Sequence, residues 1–173
     1  MSDQSNEFLK KHWRAVELLA IGGWVKFTEQ YSSAPRLFEK IEGSAERKNL
    51  SKYRKYLLPL HDGQCFYCGN RLEHKAHIDH FVPWVFVAED KLWNLVPACP
   101  TCNSAKSSRL PMPDLLADIC KRNSSIYASN RLPASLRKDM AGWPSVYALE
   151  AQLRSMHSRC AAEGFTVWLP PAA

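Results

Sequence analysis

Two Cys-x-x-Cys pairs, Cys65/Cys68 in "CFYCGN" and Cys99/Cys102 in "CPTCNS", constrain this chain more than any other feature. Thiols two residues apart sit on one tight turn, and two such turns brought together form the tetrahedral four-thiolate shell that Zn2+ accepts. The rival reading, a thioredoxin-like redox site, expects one such pair near a βαβ pattern, whereas this chain has two. Taking the cysteines as metal ligands and not as disulfides presumes a reducing compartment. The opening "MSDQSNEFLKKHW" is consistent with one, since it has no apolar core of a signal peptide and carries acids among its bases; the expectation is a cytoplasmic protein. Cys120 and Cys160 fall in helical patterns, where a buried, inert thiol is the default. The stretch between the two pairs is longer than a simple zinc ribbon needs, so the clip is expected to house something functional.

The rest of the chain reads as helices on both sides of the clip. With 46% hydrophobic and 23% charged residues among 173, it can bury a core and is neither disordered nor membrane-spanning in composition. From Asn6 to Ala20, Phe8, Leu9, Trp13, Val16 and Leu19 line one face of a helix, which predicts that this face packs on another element. Gly22-Gly23 is expected to end that helix, with short helices following in "WVKFTEQYS" and in "PRLFEKIE", where Pro35 sits at the first turn. Glu46 to Leu60 forms a fourth, apolar at Leu50, Tyr53, Leu57 and Leu60 and basic on the opposite face at Lys48, Lys52 and Lys55. After "LPMP", helices follow in "DLLADICKRN", "PASLRKDM" and "PSVYALEAQLRSMHSRCAAEG", the last closed by Gly164, and the tail is expected to dock through Trp168. The expected class is α+β, mainly helical. It divides into an N-terminal helical region at 1–60, a clip-bearing core at 61–112 and a C-terminal helical region at 113–173, together one unit.

Within the clip, "AHIDHFVP" is rich in strand formers and ended by Pro83, "LWNLVPA" predicts a second strand, and Pro100 opens a helix carrying Asn103 and Lys106 on one face. The order is strand, loop, strand, helix. Neighbours on a regular strand point to opposite faces, so Asp79 and His80 can serve one site only if the strand departs from regularity there.

These residue types suit phosphodiester hydrolysis, which needs an activated water, a cation to neutralise developing charge, and alignment. Asp79 and the Asn103 side-chain carbonyl are hard oxygen donors for Mg2+ or Mn2+. His80 can take a proton from water near neutral pH, and the Asn94 amide can tie down the loop that carries it. Thiolates are poor ligands for such an ion, so zinc would serve folding and a second divalent ion would serve catalysis.

The segment "HIDHFVPW…LWNLVPACPTCNSAK" resembles the HNH nucleases, the ββα-metal fold, in their zinc-clipped form, over roughly Cys65 to Pro111. The resemblance implies that His80 is the general base, Asp79 a catalytic metal ligand, Asn94 the brace of the loop, and Asn103 a further metal ligand where many members have His, an H-N-N pattern. It implies that Cys65, Cys68, Cys99 and Cys102 hold the structural zinc. The implied activity is metal-dependent endonucleolytic cleavage of nucleic acid, usually DNA, leaving 5′-phosphate and 3′-hydroxyl ends.

The net charge of +6 fits a polyanionic partner, and Lys106, Arg109, Lys48, Lys52, Lys55 and His77 are the candidate nucleic-acid contacts. Each has a plainer reading as a solvated charge or, for His77, a packing residue; His74 could compete for zinc, although four thiolates already fill the shell. Two other functions fit the same residues. One is an inactive zinc-stabilised nucleic-acid-binding module. The other is a nuclease gated by a protein partner, or acting as a homo-oligomer, through the helical flanks.

Overall fold

In the computed structural model, which describes residues 3–28, 34–43, 49–72, 76–129 and 132–171, the first two helices are α1 (Asp3–Lys11) and α2 (Trp13–Thr28). The break falls at His12, and α2 runs straight through Gly22-Gly23, so "WVKFT" is its last part and not a separate helix. Glycine inside a helix costs about 1 kcal/mol against alanine, which weakens a helix without ending it. Neither glycine has the positive φ of a left-handed cap. The expected packing of the amphipathic face is also not found: α1 buries no residue, α2 buries Val25 alone, and Trp13 and Leu19 are 61% and 77% exposed. α3 (Leu37–Glu42) lies against α2, pinned by Arg14 to Glu42 at 2.6 Å, and covers the other side. Pro35 precedes α3 by two residues, and Gly43, at φ +78°, closes it.

α4 (Ser51–Leu60) turns Tyr53 and Leu57 into the core and leaves Lys52 and Lys55 in solvent; Leu60 stays exposed. The Cys65/Cys68 knuckle follows on a Gln64–Arg71 bridge, with Gly69 at φ +70° allowing the tight return. β1 (His77–His80) pairs antiparallel with β2 (Leu95–Ala98), with Asp79 opposite Val96 and His80 opposite Leu95. Between the strands lie a helical turn, α5 (Trp84–Val87), where the sequence suggested loop, and a 3-10 turn at Leu92–Asn94, which takes the place of the first residues of the strand expected from "LWNLVPA". Pro97 has no N–H for the ladder but its carbonyl accepts the Phe66 N–H at 2.9 Å, tying the knuckle to β2. α6 (Pro100–Lys106) completes strand, strand, helix, and β3 (Leu110–Pro111) leads out.

The C-terminal helices wrap this unit. α7 (Leu115–Ala128) sends Arg122 and Asn123 to the carbonyls that end the 3-10 turn: Asn123 Nδ2 donates to Trp93 O at 2.9 Å and Arg122 Nη2 to the same oxygen at 3.1 Å. α8 (Ala134–Met140) and α9 (Val146–Ala162) close over it, and β4 (Val167–Trp168) returns parallel to β3. Trp168 is buried and meets the Tyr67 ring edge-on at 5.1 Å, so the tail docks onto the Cys65/Cys68 knuckle. One buried cluster runs from Tyr53 through Phe81, Leu95, Ile119 and Leu153 to Trp168. The fold is α+β and mostly helical, with the small β1–β2 sheet at its centre.

Candidate active site and zinc clip

Cys65 and Cys68 sit on the knuckle, while Cys99 is the N-cap of α6 and Cys102 lies in its first turn. All four sulfurs lie within 4.8 Å of one another, and Cys68 Sγ is 3.9 Å from Cys99 Sγ. A disulfide needs about 2.05 Å, whereas tetrahedral Zn–S bonds of about 2.3 Å give sulfur–sulfur edges of roughly 3.8 Å. The set therefore fits zinc. Backbone N–H groups already face the sulfurs, Cys99 N–H on Cys65 Sγ and Cys102 N–H on Cys99 Sγ, both at 3.3 Å. Burial pushes the Cys65 and Cys102 thiols up, and a bound cation reverses that by replacing the proton. His74 lies outside the described residues.

A cavity of about 390 Å³ is lined by Asp79, His80, Asp90, Asn103 and Lys106, together with Leu50 and the Pro83–Val85 turn. The difficulty of two neighbouring strand residues serving one site resolves at the strand end. His80 is the last residue of β1, and the chain bends away at once through Phe81 and Val82. That bend is clasped by Asn94, which is fully buried: its Oδ1 accepts the Val82 N–H and its Nδ2 donates to the Val82 carbonyl, both at 2.8 Å.

Asp79 is held by one oxygen. Its Oδ2 receives the Tyr67 hydroxyl at 2.7 Å and lies 3.0 Å from the Lys106 ammonium. Asn103 is likewise engaged by one atom, its Nδ2 standing 3.1 Å from His77 Nδ1. Among the described residues neither Asp79 Oδ1 nor Asn103 Oδ1 has a hydrogen-bond partner, so each residue keeps a hard oxygen uncommitted at the cavity. Those two oxygens suit Mg2+ or Mn2+, which the thiolate site does not.

His80 Nε2 lies 2.8 Å from Asp90 Oδ1. Burial pushes the imidazole below its ordinary pKa, while the Asp90 hydrogen bond pulls back upward.

Lys106 departs from expectation. Read as a charge on an exposed helix face, it is instead completely buried, and its ammonium donates to the His80 carbonyl at 2.7 Å while pairing with Asp79. Burial pushes its pKa down and Asp79 opposes that. A buried lysine is tolerable only when so paired, and the pairing partner lies on another element, beyond the reach of helix periodicity. Arg109 is exposed past the end of α6, its guanidinium turned back onto the Ala105 carbonyl. Lys52 and Lys55 are exposed, and the Lys52 ammonium sits 4.5 Å from the Tyr53 ring centre. Lys48 lies outside the described residues, and His77 is exposed. Asp90 and Tyr67 escaped the sequence reading altogether. Tyr67 could have been found from its place between two zinc cysteines; nothing local marks Asp90.

Residues 65–109 match the family model of the HNH endonucleases. The chain carries an HNH endonuclease domain. Of its residues, 65–109 take in the zinc clip, both strands, α6 and every polar residue of the cavity. No curated protein matches the chain. Among solved structures it is similar to the Type II-C Cas9 enzyme from Actinomyces naeslundii, at 18% identity and a TM-score of 0.37, over 98% of this chain and 19% of that one. The chain thus spans about a fifth of the length of that enzyme. No helix among the described residues is long and apolar enough to cross a membrane.

Proposed function

We propose that this chain is a metal-dependent endonuclease that hydrolyses phosphodiester bonds of DNA. The observation that carries this reading is the pair of uncommitted oxygens, Asp79 Oδ1 and Asn103 Oδ1, in one cavity with an imidazole. A binding module has no need of that arrangement. Asp79 and Asn103 would hold Mg2+ or Mn2+, which supplies charge neutralisation at the scissile phosphate. His80 takes the proton of the attacking water as its oxygen bonds to phosphorus, and the bond from phosphorus to the 3′ oxygen breaks, that oxygen taking a proton from solvent, to leave 5′-phosphate and 3′-hydroxyl ends. Asn94 keeps the His80 bend in place through Val82. Lys106 and Tyr67 hold the Asp79 carboxylate by its other oxygen and so aim it. Zn2+ on the four cysteines serves the fold. Lys52, Lys55, Arg109, Lys48 and His77 are the proposed contacts to the nucleic-acid backbone, with Leu50, at the N-terminal end of α4, forming part of the cavity edge.

One observation favours a second reading, a nuclease engaged by a protein partner or a second copy: Phe8, Trp13, Trp24 and Phe27 on α1 and α2 are each at least half exposed.

The test is supercoiled plasmid incubated with purified protein and Mg2+, Mn2+ or EDTA, beside Asp79→Ala and His80→Ala. Metal-dependent nicking or linearisation, reduced at least about a hundredfold in both variants with zinc content unchanged, is the expected outcome. Wild-type turnover by His80→Ala would overturn the assignment of the base.

A further inference from the structure

The ring of His80 is held at one nitrogen only. Nε2 meets Asp90 Oδ1 at 2.8 Å, and the Asp90 side chain is 3% exposed, more deeply buried than the histidine it holds. Nδ1 has no hydrogen-bond partner among the described residues and stays accessible to solvent, on a ring that lines the cavity. Asp79, the other carboxylate beside the ring, is already engaged by Lys106 at 3.0 Å. Asp90 is therefore the carboxylate left to answer the imidazole.

The loop that carries Asp90 is itself anchored from the helical flanks. The Tyr53 hydroxyl of α4 lies 2.7 Å from both the Asp90 carbonyl oxygen and Asp139 Oδ2 of α8. The same Asp139 oxygen accepts the Leu92 N–H at 3.2 Å. Two helices outside the clip thus fix the backbone at the Asp90 carbonyl and, two residues on, at the Leu92 N–H.

We propose that Asp90 is a positioning residue for His80. Its carboxylate can only accept, so the neutral ring carries its proton on Nε2 and leaves Nδ1 bare as the nitrogen that takes the proton from water. When Nδ1 takes the proton, the ring's positive charge forms against the Asp90 carboxylate and both protons stay on the ring. The proposal rests on His80 acting as the base, but the tautomer it requires does not depend on cleavage being observed.

The experiment uses the full chain with zinc bound and no other divalent ion added. Long-range 15N–1H NMR above the histidine titration range, with the His80 signals identified by their loss in His80→Ala, should show His80 protonated at Nε2 in the wild-type protein. Asp90→Ala should turn it into a mixture or to the Nδ1-protonated form, and Asp90→Asn, which keeps an accepting oxygen, should restore the Nε2 form. In single-turnover plasmid cleavage with Mn2+, Asp90→Ala should be slower by about a hundredfold with substrate affinity unchanged, and Asp90→Asn should recover part of the rate. Wild-type His80 protonated at Nδ1 would overturn the proposal without any variant. So would a folded Asp90→Ala protein with the wild-type tautomer and a rate within about twofold of wild type. If no cleavage is seen with any protein, the nuclease reading fails while the tautomer still decides the role of Asp90.

Discussion

At the scale of single residues, the site is organised by what each side chain does with its second polar atom. Asp79 gives Oδ2 to Tyr67 and Lys106 and keeps Oδ1; Asn103 gives Nδ2 to His77 and keeps Oδ1; His80 gives Nε2 to Asp90 and keeps Nδ1. This division explains why a lysine is buried here. Lys106 is both a counter-charge for a carboxylate removed from bulk water and a tether on the His80 carbonyl. Lys106→Met should therefore cost on the order of 3 kcal/mol in urea unfolding, because it strands Asp79 beside apolar surroundings. Adding Asp79→Asn to that variant should recover a good part of the loss, since the uncompensated charge is then gone. Additive losses in the double variant would argue against the pair. Asp79, His80, Asn94 and Asn103 could be picked out as chemistry-bearing from the sequence, but the Lys106 pairing could not, because an ammonium chooses its partner through space.

At the scale of elements, the small sheet is joined to the knuckle and, through it, to α6. The knuckle is joined to β2 through Phe66 and Pro97, and the start of α6 is joined to the knuckle through the cysteines. Neither joint is strong without metal, because the knuckle and the start of α6 contribute buried thiols where a core would have larger apolar groups. Cys99→Ser should lose zinc and cooperative unfolding, since a structural zinc site contributes on the order of 10 kcal/mol at neutral pH. Zinc content and the sharpness of thermal unfolding check this; a variant that stays cooperative without metal would refute the four-cysteine site. The flanking helices bear on the site through the 89–92 loop. Tyr53→Phe, which removes only the hydroxyl between Asp90 and Asp139, should lower stability by about 1–2 kcal/mol in urea and slow cleavage more than it weakens substrate binding. The order of strand, strand and helix was legible because strand formers, prolines and cysteine spacing are local signals. The end of α2 was misread for the opposite reason, that a glycine pair lowers helix propensity but does not decide an ending.

At the scale of the whole molecule, burial sets how stability responds to acid. His61, next to the knuckle, has Nε2 buried without a partner among the described residues, and desolvation together with the nearby Arg122 lowers its pKa from 6.5 to about 4. The folded state thus keeps this imidazole neutral over a range in which the unfolded chain binds a proton. The associated stability is fully present above pH 6.5 and is lost progressively as pH falls from there toward about 4. Melting temperature should fall between pH 7.5 and 5 in the wild type, and His61→Gln should flatten that slope. An unchanged slope would mean that other groups carry the acid response. Arg122 itself, buried and pushed down to about 9, stands on the carbonyls of the 3-10 turn and has no carboxylate in ion-pair reach among the described residues. Its partners lie about thirty positions away in the chain, so its role was invisible to periodicity.

By itself the sequence determined the four-thiolate clip, the strand–strand–helix order inside it and the HNH character of the segment, because ligand spacing, turn residues and strand formers act over a few positions. The tertiary structure alone decided which atoms of the cavity residues remain uncommitted and that Asp90 meets His80. It also decided that Lys106 faces inward, that the tail closes on the knuckle through Trp168, and that the aromatic face of α1 and α2 stays open to solvent. Each of these depends on which groups lose water together. That is fixed only when distant segments come into contact and buried charges must find partners there.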